Sequence, residues 1–270
     1  MTDSSNVPDE NMASLKRGSI VGAYFEQLNK TLESDKDTKQ IACLFADRLG
    51  SEYFLAILQT MSEIDSLFGE MESALDEFTG RDIYAMFVKG KLLTVEHLVI
   101  AMKLYVISWS TLRDVLASLV NTVFNLGIAD RDVKEHLVLH NAHVQSSRIP
   151  QILQAYDSTL AIKDLKKKRN DVVHRGRIPD DDVEQMLMER KKIEARRYSL
   201  LQLNPISEEE YKRESSLLRQ RLRAMAKEKQ DLWRKHHQQT GAMISEVAGE
   251  LMLKTIDVYR QQRGAASSII

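Results

Sequence analysis

Residues 94–127 read TVEHLVIAMKLYVISWSTLRDVLASLVNTVFNLG. Thr94 is an N-cap residue by type, because its hydroxyl can accept a free backbone N–H one turn on. Gly127 stands just past the last apolar residue, where helices commonly stop in the left-handed conformation. The apolar spacing between them predicts one helix over residues 95–126, about 48 Å long at 1.5 Å per residue. Such a length is useful only beside other long helices, so the stretch predicts an all-α bundle. It also carries Glu96, Lys103, Arg113 and Asp114. No part of the chain reaches the roughly 18–20 uninterrupted apolar residues of a membrane span.

The whole composition agrees with a helical protein. The chain has 270 residues, 43% hydrophobic and 29% charged, enough apolar material for a core. Eleven glycines and four prolines are too few for the many turns of an all-β fold. The single cysteine, Cys43, rules out an intramolecular disulfide and argues against a Cys-based zinc site. The opening MTDSSNVPDENMASLKRGS has no apolar run of the signal-peptide kind. The expectation is a cytoplasmic protein with no membrane partner. Residues 1–100 hold nine basic and seventeen acidic residues, whereas the remainder is net positive. That reversal points weakly to an anionic partner, and solvated helix faces explain it as well.

Working outward from the long helix, residues 1–18 read as disordered, and helices are predicted near 20–35, 38–49 and 52–78. RDIYAMFVKGKLL, from Arg81, is a short connection. Residues 130–143 are predicted as one short helix. Pro150 suits the first turn of another, which runs on through QILQAYDSTLAIKDLKKKRNDVVHRG to Gly176. DDDVEQMLMERKKIEARRYSLL opens with acids that suit a positive helix end. Asn204-Pro205 marks a boundary. Residues 206–237 are charge-rich and read either as a long exposed helix or as one that contacts RNA or a partner. Gly241 is expected to interrupt before the amphipathic segment 242–259. The domain expectation is therefore a disordered 1–18, a helical bundle over 19–203, and a charged helical extension over 204–270.

Phosphate-cradling glycine loops, nucleophile elbows and His-Glu-x-x-His helices are absent from the sequence. Two constellations remain. In RDVKEHLVLHNAH, Asp132, His136, His140 and His143 are spaced by four, four and three, which would align them on one helical face. Such a face could hold a zinc-like ion, or be a solvated histidine face. The second constellation is Arg169-Asn170-Asp171-Val172-Val173-His174, followed by Arg175-Gly176. Lys163, Lys166, Lys167, Lys168, Arg175 and Arg177 surround it, with only Asp164 and Asp171 opposing. Clustered cations of that kind would draw in a polyanion, and Lys and Arg also simply suit a helix C-terminus.

The second motif, near the end of an apolar helix in an all-helical chain, resembles the Arg-x(4–6)-His signature of HEPN domains in its Arg-Asn-x-x-x-His form. The resemblance implies an up-and-down helical bundle, here with additional C-terminal helices, that commonly dimerises. It implies a metal-independent endoribonuclease with no cofactor, of the kind found as toxins of toxin–antitoxin pairs and in antiviral defence. Its partners would be RNA, a second copy of the chain, and an antitoxin or defence-system protein. It implies equally an inactive scaffold that binds RNA or a protein. Under the enzyme reading, Arg169 and His174 are catalytic, Asn170 orients, and Lys166, Lys167, Lys168, Arg175 and Arg177 bind substrate.

The chemistry suits those residue types. Metal-free cleavage needs the RNA 2′-hydroxyl deprotonated, the leaving oxygen protonated and the phosphorane charge stabilised. A histidine, which titrates near neutrality, can move the protons. An arginine can hold the phosphate through two parallel N–H···O bonds and stays charged. Geometry adds a condition: residues five apart lie about 140° apart around an ideal helix. Either the helix distorts at Val173, or Arg169 of one chain works with His174 of another across a two-fold axis. Asp114 is a candidate to orient Arg169 or His174. Trp109 is expected in the core, and Trp233 either packs or stacks on a base.

Overall fold

The computed structural model describes residues 48–79, 94–198 and 205–267. The expected helices near 20–35 and 38–47, the disordered 1–18, the connection 81–93 and the boundary residue Asn204 lie outside those residues. Every regular element among the described residues is helical. They are α1 (Arg48–Glu77), α2 (Val95–Val123), a 3-10 turn (Asp130–Asp132), α3 (Glu135–Leu139), α4 (Ala142–Gln145), α5 (Ile149–Ser158), α6 (Leu160–Arg175), α7 (Asp181–Arg197) and α8 (Glu208–Ser267). The fold is all-α, as the apolar periodicity predicts.

The termini of α2 follow their residue types. The Thr94 hydroxyl accepts the His97 N–H at 3.3 Å. The helix stops three residues early, at Val123, because Asn125 already takes a positive φ of 50° and Gly127 follows at 71°. Val95, Leu98, Met102, Tyr105, Val106, Trp109 and Leu112 are buried at intervals of three and four. By length and composition α2 could cross a membrane, but half of its most apolar window is buried within the protein.

Three expectations about helix boundaries are corrected. Residues 130–143 are not one helix but the 3-10 turn, α3 and the start of α4. Lys134 is extended, and Asn141 starts a fresh turn by accepting the His143 N–H on its side chain. The segment from Pro150 to Arg175 is also split. Thr159 is extended at ψ 140° and its hydroxyl caps the Ile162 N–H, so α5 ends and α6 begins there. At the other extreme, Gly241 interrupts nothing: α8 runs unbroken from Glu208 to Ser267. One glycine costs about 1 kcal/mol against alanine in a helix. Burial of Met243, Ile244, Val247 and Leu251 just beyond it outweighs that several-fold at roughly 1.5–3 kcal/mol each.

The described residues fall into two compact units, and α1, α2 and α8 each contribute to both. The first comprises residues 48–68, 111–157 and 240–267. Its polar centre is Arg113, whose side chain is only 7% exposed. The guanidinium forks onto Glu135 (Nε–Oε2 2.9 Å, Nη2–Oε1 2.5 Å) and onto Asp157 (Nη1–Oδ1 2.6 Å, Nη2–Oδ2 3.2 Å). Burial alone would lower its pKa; the hydrogen bonds and charges of Glu135 and Asp157 override that and raise it. The Tyr156 hydroxyl shares a buried hydrogen bond of 2.8 Å with Thr240.

The second unit comprises residues 69–79, 94–110, 158–198 and 205–239. Here α7 and α8 run antiparallel, since Lys229 meets Asp180 and Asp182, Arg221 meets Glu189, and Arg196 meets Glu214. Of these, Lys229–Asp180 is largely buried, whereas the more exposed Arg221–Glu189 pair is worth about 0–1 kcal/mol; together the pairs pin one register. Residues 206–237 are not simply an exposed helix. Leu222, Ala226, Gln230, Trp233 and His236 form a buried stripe. Trp233 packs on Phe78 and Tyr105 with centroids 5.2 and 5.0 Å away, so it is a core residue.

Two histidines enter this core. Burial pushes His237 down to about 4, with the charge of Asp76 opposing, and His236 moves the same way through burial. The unfolded chain titrates near pH 6.5. The stability contributed by a neutral His237 is therefore complete above that pH and is lost as pH falls toward about 4. His237→Gln should flatten the fall in melting temperature between about pH 7 and pH 4.5, removing a term on the order of 3 kcal/mol. Parallel declines in the two proteins would refute this assignment.

Candidate functional site

The motif sits in the last turns of α6. Thr159 caps its start, and Gly176 closes it at φ 65°, donating its N–H to Val172 O. A β-carbon is disfavoured in that left-handed conformation, which is why glycine suits the end of the motif. Ile162, Leu165 and Val172 are buried, which turns one side of α6 into the core. Asn170 and His174, four residues apart, are both exposed on the opposite side. Val173 between the two faces is 54% exposed.

Arg169 lies at the edge of the buried face and is half-buried. Its Nε donates to Ser110 Oγ at 3.0 Å, and its Nη1 donates to Asn170 Oδ1 at 3.4 Å. Both acceptors are neutral, and among the described residues Arg169 makes no ion pair with a carboxylate. A guanidinium has five N–H donors, so three remain to be used by an anion. Because the Asn170 oxygen faces Arg169, its amide N–H2 is left as a further donor on the outer side. The structure thus brings Arg169 and Asn170 together, one turn ahead of an accessible His174.

It does not bring Arg169 and His174 onto one face. α6 is regular α-helix from Leu160 to Arg175, so the distortion at Val173 that would have aligned them within one chain does not occur. The two side chains leave the helix about 140° apart.

The basic surroundings are unequal. Lys163, Lys167 and Arg177 are exposed and pair with no carboxylate among the described residues. Lys168 pairs with Asp164 at 2.5 Å and lies 6.0 Å over the Trp233 ring. Arg175 pairs with Asp171 at 3.1 Å, and Lys166 is half-buried. Exposed pairs exchange readily for a phosphate because they hold so little energy.

Two site residues escape a reading of the sequence. Ser110, rather than Asp114, is the α2 side chain that meets Arg169. Asp114, one turn further on, is exposed and lines a polar pocket of the first unit with Glu63, Asp130 and Glu135. Lys103 donates its Nζ to Gly176 O, placing a positive charge at the negative end of α6. Ile100, Leu104 and Ile107 form a stripe on α2 that is about half exposed, roughly 60° around the helix from Lys103 and Ser110.

The histidine set does not form. His136, His140 and His143 are exposed and are divided between α3, its C-terminal cap and α4. His140 Nδ1 is instead 2.6 Å from His136 O. Among the described residues no three His, Cys, Asp or Glu side chains are grouped so as to hold a metal.

No curated protein and no solved structure matches the chain. The family model described as HEPN_Cthe2314-like HEPN matches residues 73–237, more than half of the chain and all of the α6 motif. With the Arg-Asn-x-x-x-His signature capping a helix of an all-α fold, the chain belongs to the HEPN family.

Proposed function

We propose that the chain is a metal-independent endoribonuclease that works as a homodimer, with Arg169 and His174 of different copies meeting at one phosphodiester. One observation carries this reading: Arg169 is held at its Nε and Nη1 by neutral acceptors and keeps three donors for an anion. The more deeply buried Arg113 is matched to two carboxylates. An arginine fixed by a hydroxyl and an amide keeps its charge for something outside the chain. His174, exposed a little over one turn on, supplies the proton chemistry. Asn170 orients the arginine and offers its amide to the substrate.

A two-fold arrangement removes the 140° mismatch, because the His174 that meets Arg169 then comes from a different helix. The stripe of Ile100, Leu104 and Ile107, with Val173, offers apolar surface beside the site for that contact. Lys163, Lys167 and Arg177 would track the RNA backbone and make binding salt-dependent. The scaffold reading draws on the same mismatch: in a single chain the two groups do not converge, and a basic helix end could bind RNA without cutting it.

Incubating the purified full chain with a mixed single-stranded RNA pool in excess EDTA decides between them. Cleavage with 2′,3′-cyclic phosphate ends is the expected outcome, since the 2′-hydroxyl is the nucleophile. An RNA pool that is bound but left intact at neutral pH would favour the scaffold.

A further inference from the structure

We propose that Ser110 is a positioning residue for Arg169, an inference that rests on the anion-binding role given to Arg169 above. The Ser110 hydroxyl accepts the Arg169 Nε–H at 3.0 Å from a different helix, 59 residues away in sequence. An arginine side chain has four rotatable bonds, and fixing its Nε removes most of the freedom of its guanidinium plane. Asn170 holds one Nη1–H, so the plane is gripped at two points. The Nη2 edge is left to the ligand. A phosphodiester recognised through two parallel N–H···O bonds requires that plane to be correctly turned before it arrives.

Ser110 is well placed for this task. It is half-buried, beside the fully packed Trp109. It lies on the rigid α2 rather than on a loop. A serine accepts without neutralising the guanidinium, whereas an aspartate at the same point would cancel the charge that the phosphate needs. Lys103, on the same side of α2, holds the end of α6 through Gly176 O, so α2 sets both the height and the orientation of the motif.

The test is a double-mutant cycle with Ser110→Ala, Arg169→Ala and the combination, together with Ser110→Thr. Two measurements are made on each full-length protein: affinity for a 2′-O-methyl oligoribonucleotide, whose nucleophile is blocked, and cleavage of the same strand with free 2′-hydroxyls. Ser110→Ala should weaken affinity for the blocked strand about tenfold, the loss expected for one hydrogen bond to a charged group. It should cost nothing further once Arg169 is gone. Ser110→Thr keeps the acceptor and should restore affinity, which a purely packing role for Ser110 would not predict. Melting temperatures establish that all four variants fold.

Equal losses from Ser110→Ala in the presence and absence of Arg169 would overturn the proposal, as would no loss at all. The cleavage arm separates the two readings. A coupled cycle on the blocked strand with no cleavage by the wild type upholds Ser110 and sinks the nuclease. Cleavage with an uncoupled cycle does the reverse.

Discussion

Arg113→Ala is expected to lower the unfolding free energy by about 3 kcal/mol, the lower end of the range for breaking a buried ion pair. The substitution leaves Glu135 and Asp157 facing each other without the cation that both are bonded to. These carboxylates are a third and a quarter exposed, so water tempers the cost and keeps it from the upper end. The same guanidinium ties α3 and α5 to α2, and so adds a polar anchor to the broken region 130–158, whose Val138, Val144, Ile149, Ile152, Leu153 and Tyr156 are buried. Arg113→Lys should recover only a small part, because an ammonium has three donors and cannot reproduce the four bonds by which the guanidinium forks onto both carboxylates. Arg113→Met combined with Glu135→Gln and Asp157→Asn should recover most of it, since neutral amides need no counter-charge. Chemical denaturation monitored by circular dichroism measures all three. A single alanine variant as stable as the wild type would show that the triad is dispensable.

The elements legible in the sequence were those whose signal is local. Thr94 and Gly176 act as caps because hydroxyl acceptance and a positive φ are properties of one residue and its nearest turn. The apolar interval of α2 made its buried face readable for the same reason. The misread boundaries show where local rules compete. Thr159 sits inside an apolar periodic run, so its capping capacity was hidden by the pattern around it; Leu160, 85% exposed, belongs to no buried stripe and marks the break. Gly241 has the opposite history, a local breaker overridden by a stripe that continues in phase from Trp233 to Leu251. The histidine interval in 130–143 has helical spacing, but Asn141 caps a new helix rather than continuing one.

The site divides along the same line. Arg169, Asn170 and His174 lie within one helix and were readable from their spacing. Ser110 and the partners of Arg113 were not, because they depend on how far one helix slides along another. Asp114 and Ser110 occupy the same side of α2 one turn apart, and composition favours the acid as a partner for arginine. Packing chose the serine. That choice matters chemically, since among the described residues it leaves Arg169 without a carboxylate partner.

His174→Ala is expected to lower the rate of RNA cleavage by about 10²–10⁴, the usual range for removing a general acid–base, while leaving stability unchanged because the side chain is exposed. Arg169→Ala should be similarly impaired through loss of phosphate contact. The two inactive proteins together offer a sharper measurement than either alone. If Arg169 and His174 of different copies form each site, a mixed dimer has one site lacking both groups and one site with both intact. Random exchange makes half of the dimers mixed, so the mixture should recover about a quarter of the wild-type rate under two-fold symmetry. If both groups act from the same chain, every site in the mixture lacks one of them and no rate returns. Recovery also requires subunit exchange, so it should appear only after the proteins are mixed and rise with the time of incubation. An inactive mixture of freely exchanging subunits would leave a straight α6 with no means of bringing its arginine and histidine to one phosphate, and the nuclease mechanism would fall with it.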